Sequence, residues 1–335
     1  MRQGKNWGAT RFFAGREALP RTAQFVYTSS GMQRAIEKRR GVWPAAGALC
    51  LLTAATAAAQ AAKPLEVSAD ELVRVTVANE VAAANNTTVK HIFCSRKRTP
   101  KGSQTRLYVE TNDAMAGMLI AVNDEPLTPQ QQQGEMNHLA WLARNPEQLR
   151  RKQAQEKKDA DLTLRIVKAL PDAFRFTYAD APASSGPNSK FVRLNFTPNP
   201  AYSPPSRVEQ VLQGMQGYLL IDPEHKRIAR IDGTLFKDVA FLWGILGHLD
   251  KGGRFLVTQA GLGDGSWEIT KMDLNIAGKI LLFKTISMVS DEVLSDFRRV
   301  PDNLTFAQGV ELLKAEQEKL AHASAALSEA KKTPR

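Results

Sequence analysis

The sequence predicts an α+β protein: one twisted antiparallel sheet of about eight or nine strands with helices on one side. Three observations carry that prediction. Apolar and polar residues alternate with period two at Leu107/Val109, at Phe174/Phe176/Tyr178 and at Val192/Leu194/Phe196, the pattern of half-buried strands. Turn chemistry at Pro223-Glu224-His225-Lys226, Gly261 to Gly265 and Ala277-Gly278 separates the later runs as hairpin turns do. Helical stripes occupy residues 67–85, 129–170 and the segment from Thr305 onward. With 335 residues, 43% apolar and 24% charged, and only two Cys, the chain can bury a core. Disorder, a collagen helix and a disulfide-stapled miniprotein are excluded.

The elements follow in order. Residues 1–61 read as a leader with a secretory signal: Arg34, Lys38, Arg39 and Arg40 make a charged start, Gly41 to Thr56 an apolar run, and Ala59-Gln60-Ala61 a small-residue cleavage pattern. Met32 is the expected true start. The apolar run falls short of a membrane span of about 20 residues. Lys38 and Gly41-Val42-Trp43 fit a twin-arginine motif poorly, and Leu49 before Cys50 rules against a lipoprotein. The formal charge of +11 is concentrated here, since this stretch holds nine Lys/Arg against two Asp/Glu and leaves 36 basic and 32 acidic side chains in the rest. A nucleic-acid surface is therefore not expected. Of the cysteines only Cys94 remains in the mature chain, where a buried, inert thiol is expected and no internal disulfide can form.

Residues 62–305 read as one domain. A helix over 67–85 ends at Asn85-Asn86, and strands follow at His91 to Arg98, around Leu107 to Val109, and at Met118 to Val122. Residues 130–170 form a helical hairpin insert, broken at Asn145-Pro146, with Pro146 near the first position of the second helix, where its missing N–H costs little. Its dense mixed charge reads as a solvated face. After the strands at 174–178 and 192–196, Ser206 caps a short helix through Leu212. Tyr218 to Asp222 and Arg227 to Asp232 form the clearest hairpin. Antiparallel candidates at Phe255 to Gln259, Trp267 to Leu274 and Ile280 to Met288 follow. Residues 306–335 are a helix carrying Phe306, Val310, Leu313 and Leu320 on one face, with an Ala- and Lys-rich end expected to fray.

No residue constellation identifies a reaction. The five His, at 91, 138, 225, 248 and 322, show no metal spacing and no nucleophile partner, so no catalytic, metal or cofactor site is expected. The glycines at 261, 263 and 265 precede a strand and not a helix, which reads as a hairpin turn rather than a phosphate cradle. Asp222 and Asp232 flank one hairpin and are expected to cap turns. The block Phe241 to Gly253 stands apart, because Gly244, Gly247 and Gly252-Gly253 interrupt a strongly apolar run. Two readings stay open: a bulged core strand, or the wall of a cavity lined by Phe241, Trp243, Leu246, Phe255 and Trp267.

Gly217-Tyr218-Leu219-Leu220-Ile221-Asp222, a short turn, then Arg227-Ile228-Ala229-Arg230-Ile231-Asp232-Gly233 resembles the strand pairs of periplasmic lipoprotein-sorting carriers (LolA/LolB-like), over roughly Phe174 to Val289. The resemblance implies a curved half-barrel sheet wrapped around a hydrophobic cavity. Phe196-Thr197-Pro198-Asn199-Pro200 and the block from Trp243 to Gly253 are also similar to stretches in a family of secreted bacterial proteins without an assigned activity. Together these imply a periplasmic or secreted, non-enzymatic binding protein holding a lipid, an acyl chain or a lipoprotein anchor, with peripheral membrane contact left open. The helical insert has no counterpart in the carriers, and no carrier residue is matched to a position here. The alternative is an envelope structural protein with a filled core that binds partners through the charged insert.

Overall fold

The computed structural model describes residues 67–86, 88–179, 190–241, 247–280 and 284–332. The leader expected over 1–61 lies outside them. Helix α1 (Ala69–Asn85) starts at Ser68, whose hydroxyl accepts the Glu71 N–H, a side-chain cap of the kind that fixes helix starts. Strands β1 (Lys90–Thr99), β2 (Gly102–Val109), β3 (Ala116–Val122) and β4 (Glu125–Pro126) form a meander, followed by helices α2 (Pro129–Arg144) and α3 (Pro146–Ala173). Thr128 and Gln131 close a full capping box at the start of α2. Then come β5 (Phe174–Tyr178), β6 (Val192–Pro198), α4 (Arg207–Gln210), β7 (Met215–Asp222), β8 (Arg227–Leu235), β9 (Val239–Phe241), β10 (Gly247–Leu249), β11 (Arg254–Gly261), β12 (Trp267–Ile280), β13 (Lys284–Val300) and α5 (Phe306–Lys332).

The sheet is antiparallel and open, in the order β4-β3-β2-β1-β13-β12-β11-β8-β7-β6-β5, with β10 pairing β12 and β9. The α+β class read from the sequence is the class observed. Among the described residues thirteen strands stand where about eight or nine were expected. Three of the additional ones, β4, β9 and β10, are two or three residues long and carry too few residues to show a period. Phe241 pairs with Gly247 and Val239 with Leu249, so β9 and β10 are the two arms of a hairpin.

The expectation of helices on one side is also revised by the register. Leu219 pairs with Ile231, Ile231 with Val257, Val257 with Met272 and Met272 with Glu292. Glu292 in turn accepts the Ser95 hydroxyl at 2.7 Å, so all six residues share one face of the sheet. Helices α1 and α3 lie on that face, where Val73, Val77, Leu170 and Ala173 join Leu194, Leu219, Ile221 and Ile228 in the largest core cluster. Helices α2 and α5 cover the other face, packing Leu139, Leu142, Phe306, Val310 and Leu313 onto Ile92, Leu107, Val109 and Met118. Burying one such side chain is worth about 1.5–3 kcal/mol.

An open sheet exposes two edges, which invite pairing with other chains. Helix carboxylates occupy both here. On β3 the N–H of Leu119 donates to Glu135 of α2 at 3.0 Å, and the N–H of Met115, just before the strand, donates to Glu156 of α3 at 3.0 Å. On β5 the N–H of Phe176 donates to Asp70 of α1 at 3.1 Å. The helical hairpin thus folds around one edge of the sheet, with a helix on each face.

Candidate functional site

Two places on the α1 face differ from an ordinary filled core. The first is the middle of the sheet. Among the described residues no helix packs substantially on β11, β12 or β13. By register Phe255, Val257, Met272, Leu274, Ile276, Ile286 and Met288 share the α1 face, and every one of them is half-buried rather than buried. The opposite face of the same strands carries Lys271 between Asp273 and Asp291, at 3.3 and 3.2 Å. One face of these strands is therefore apolar and incompletely covered, and the other is a charged solvent face.

Phe255, a residue the sequence singled out, lies on this apolar stripe. Its ring sits over Gly233, where a Cβ would stand 2.4 Å from a ring carbon; only glycine leaves room for the ring there. Trp267, also singled out, is elsewhere. It is buried against Leu220 and Ala229 in a separate cluster, with the Arg227 guanidinium 5.5 Å over its ring. The structure does not bring Phe255 and Trp267 into one lining. Phe241 is placed only as the last residue of β9, and Trp243 and Leu246 lie outside the described residues.

The second place is a polar corner that sequence reasoning missed. His91, 1% exposed, is the second residue of β1, and its backbone N–H donates to Glu110 Oε2 at 3.0 Å. Its Nε2 meets Asp264 Oδ2 at 2.9 Å, while Nδ1 stands 3.6 Å from Glu110 and 3.9 Å from Glu268. Burial opposes a charge on this imidazole, yet the carboxylates of Glu110 and Asp264 outweigh it and raise the His91 pKa above its ordinary value. Burial likewise works against the Asp264 carboxylate, but hydrogen bonds from Ser266 and His91 bring it down to about 2. Beside this cluster lies a pocket of about 100 Å³, lined by Ala83 and Ala84 of α1 with Glu110, Arg227, Trp267 and Glu268. Its wall is held by a buried ion pair: Arg227 donates twice to Glu80, at 2.9 Å each, and Glu80 also accepts the Ile228 N–H at 2.8 Å.

Such a cluster can hold or release a proton. It is not arranged as a nucleophile with its base, because the Ser266 hydroxyl donates to Asp264 at 2.5 Å and stands 3.5 Å from the imidazole. No signal in the sequence marks the corner, since His91 and Asp264 are 173 residues apart. The segment from Gly261 to Gly265 is the turn between β11 and β12 that the sequence indicated, with Gly263 and Gly265 at φ of 81° and 90°. Asp222, with Glu224 and His225 within ligand distance, accepts the N–H groups of those two residues at 2.9 and 3.1 Å, the turn cap expected of it. Asp232 instead pairs with Arg254 at 2.7 Å. The Cys94 thiol is half-buried and pushed up to about 11, by burial first and then by Asp296, so its reactive thiolate is suppressed.

No protein-family model matches the chain, and no curated protein matches it. One similar solved structure is a LolA superfamily protein from Nitrosomonas europaea. The two chains are 10% identical with a TM-score of 0.26, over 70% of this chain and 96% of the other. No residue role is transferred from it. Among the described residues no helix is long and apolar enough to cross a membrane.

Proposed function

We propose that this protein is a non-enzymatic carrier, exported by its leader, that shelters an acyl chain or lipid anchor against the α1 face of β11, β12 and β13. The observation that carries the reading is the stripe of seven half-buried apolar side chains, from Phe255 across to Met288, over which no helix packs substantially among the described residues. A sheet face of this composition is ordinarily buried in a core. Each methylene of an acyl chain laid on it contributes about 0.8 kcal/mol. Phe255 belongs to the lining on this reading. Phe241, Trp243 and Leu246 remain part of the proposed wall as the sequence reads them, next in the chain to β10, which pairs with β12 beyond Ile276. Trp267 is assigned to the corner pocket instead.

The test is mass spectrometry of the organic extract from the exported protein, purified without detergent. A stoichiometric lipid is expected, and it is expected to be lost from the folded variants Leu274→Asp and Trp243→Asp. A clean extract together with no uptake of a fluorescent fatty acid would overturn the carrier reading and turn attention to the helical hairpin as a contact surface.

A further inference from the structure

The side of β5, β6, β7 and β8 turned away from α1 plays no part in that reading. Phe174, Phe176, Leu194, Leu219 and Ile221 belong to the core under α1. Period-two alternation therefore turns Arg175, Arg193, Tyr218 and Leu220 to the other side. Register carries the row onward, since Arg193 pairs with Leu220 and Leu220 with Arg230. The long helices that touch these strands, α1 and α3, lie on the opposite face, and Arg175 and Arg193 are exposed. We propose that this arginine face is a docking surface for anionic phospholipid headgroups, by which the sheet lies against a bilayer.

The distribution of charge over one side of the sheet supports this. The same row continues through Thr258, Lys271 and Val293 to Arg96, and there the cations are neutralised. Lys271 stands between Asp273 and Asp291 at 3.3 and 3.2 Å, and Arg96 pairs with Asp124. Over β5 to β8 the balance differs. Asp232 on β8 is occupied by Arg254, which donates to it at 3.2 and 2.7 Å. Arg175, Arg193 and Arg230 have no carboxylate partner among the described residues. Unmatched positive charge thus collects on one half of a flat strand surface, where an anionic layer complements it.

The aromatic residues among these cations select the partner. Arg193 lies 4.1 Å over the Tyr218 ring, and Lys190 lies 5.0 Å over the Phe191 ring. Both rings pack against the cluster that holds Leu220. Amphipathic rings beside basic side chains suit the headgroup level of a bilayer. A single-stranded nucleic acid needs open ring faces on which its bases can stack, and here a cation already covers each ring. The surface lies on the side of the sheet opposite the apolar stripe, so docking and cargo use different residues.

Vesicle flotation of the exported protein tests this, with phosphatidylcholine alone and with an equal mixture of phosphatidylcholine and phosphatidylglycerol. Binding is expected to the mixed vesicles at low salt, to fade as added salt screens the charges, and to be weak on the neutral vesicles. Arg175→Glu combined with Arg193→Glu is expected to weaken binding about tenfold or more. Arg151→Glu combined with Lys158→Glu makes the same charge change at exposed positions of α3 and is expected to keep binding within about twofold. Equal binding to both vesicles, equal loss from the α3 variant, no binding at all, or displacement by an equal phosphate concentration of single-stranded DNA would overturn the docking surface. Should the arginine reversal fail to fold by thermal melt, Arg175→Gln with Arg193→Gln is compared with Arg151→Gln and Lys158→Gln. The two vesicles share their acyl content and differ in headgroup charge, so docking and the carrier reading fail separately.

Discussion

The two halves of the sheet are closed by different means, and the strands between them by neither. Over β5 to β8 the α1 face is sealed by α1 and α3, with Leu194 and Ile221 both at 0% exposure. Over β1 to β3 the opposite face is sealed by α2 and α5, with Met118 and Leu313 also at 0%. In β11, β12 and β13 the stripe from Phe255 to Met288 stays half-buried, while Val289 and Val293 on the other face are 40% and 42% exposed. A helix needs an apolar stripe beneath it, and a sheet needs only one covered face to be stable. By switching faces from one half to the other, the helices leave a central strip that touches the α1 core only at its Phe255 edge among the described residues.

Breaking the sealed halves should cost most. Glu80→Gln leaves the Arg227 guanidinium buried without its counter-charge and is expected to destabilise by about 3–5 kcal/mol in urea unfolding. A double replacement by apolar residues should lose much less, since both desolvation penalties then vanish. Next in size is the direct contrast between covered and uncovered strands. Leu219→Ala, at a site 1% exposed, should cost about 2–5 kcal/mol. Leu274→Ala on the stripe should cost about 1 kcal/mol or less, because its surroundings already admit water. Equal losses at the two positions would mean that the stripe is an ordinary core and would weaken the carrier reading. An effect between those at Leu219 and Leu274 is expected at the boundary. Gly233→Val forces the Phe255 ring off β8, for about 1–3 kcal/mol by thermal melt, and disturbs the stripe at its β8 edge.

Much of the fold was legible because it is written in local periods. Strand alternation at Phe174, Phe176 and Tyr178, the Ser206 cap and the turn after Asp222 each depend on residues within a few positions of one another. The β9–β10 hairpin was not legible, because three-residue strands have no period and Phe241 to Gly247 reads as one apolar run. Of the site residues the sequence suggested, Phe255 reached the stripe, while Trp267 went to a different cluster. The β-bulge between Thr258 and Gln259 shifts the alternation in that hairpin, and no propensity announces it.

The sequence by itself determined the class, the hairpins and which residues are apolar enough to be covered, since those follow from chemistry along the chain. Only the tertiary structure decided which face each helix covers, where covering stops, and that a histidine at the start of β1 meets an aspartate 173 residues away. The physical reason is that period-two alternation defines two faces without saying which one a distant helix will meet. Cross-strand register and helix docking settle that, and both are set by contacts between residues far apart in the chain.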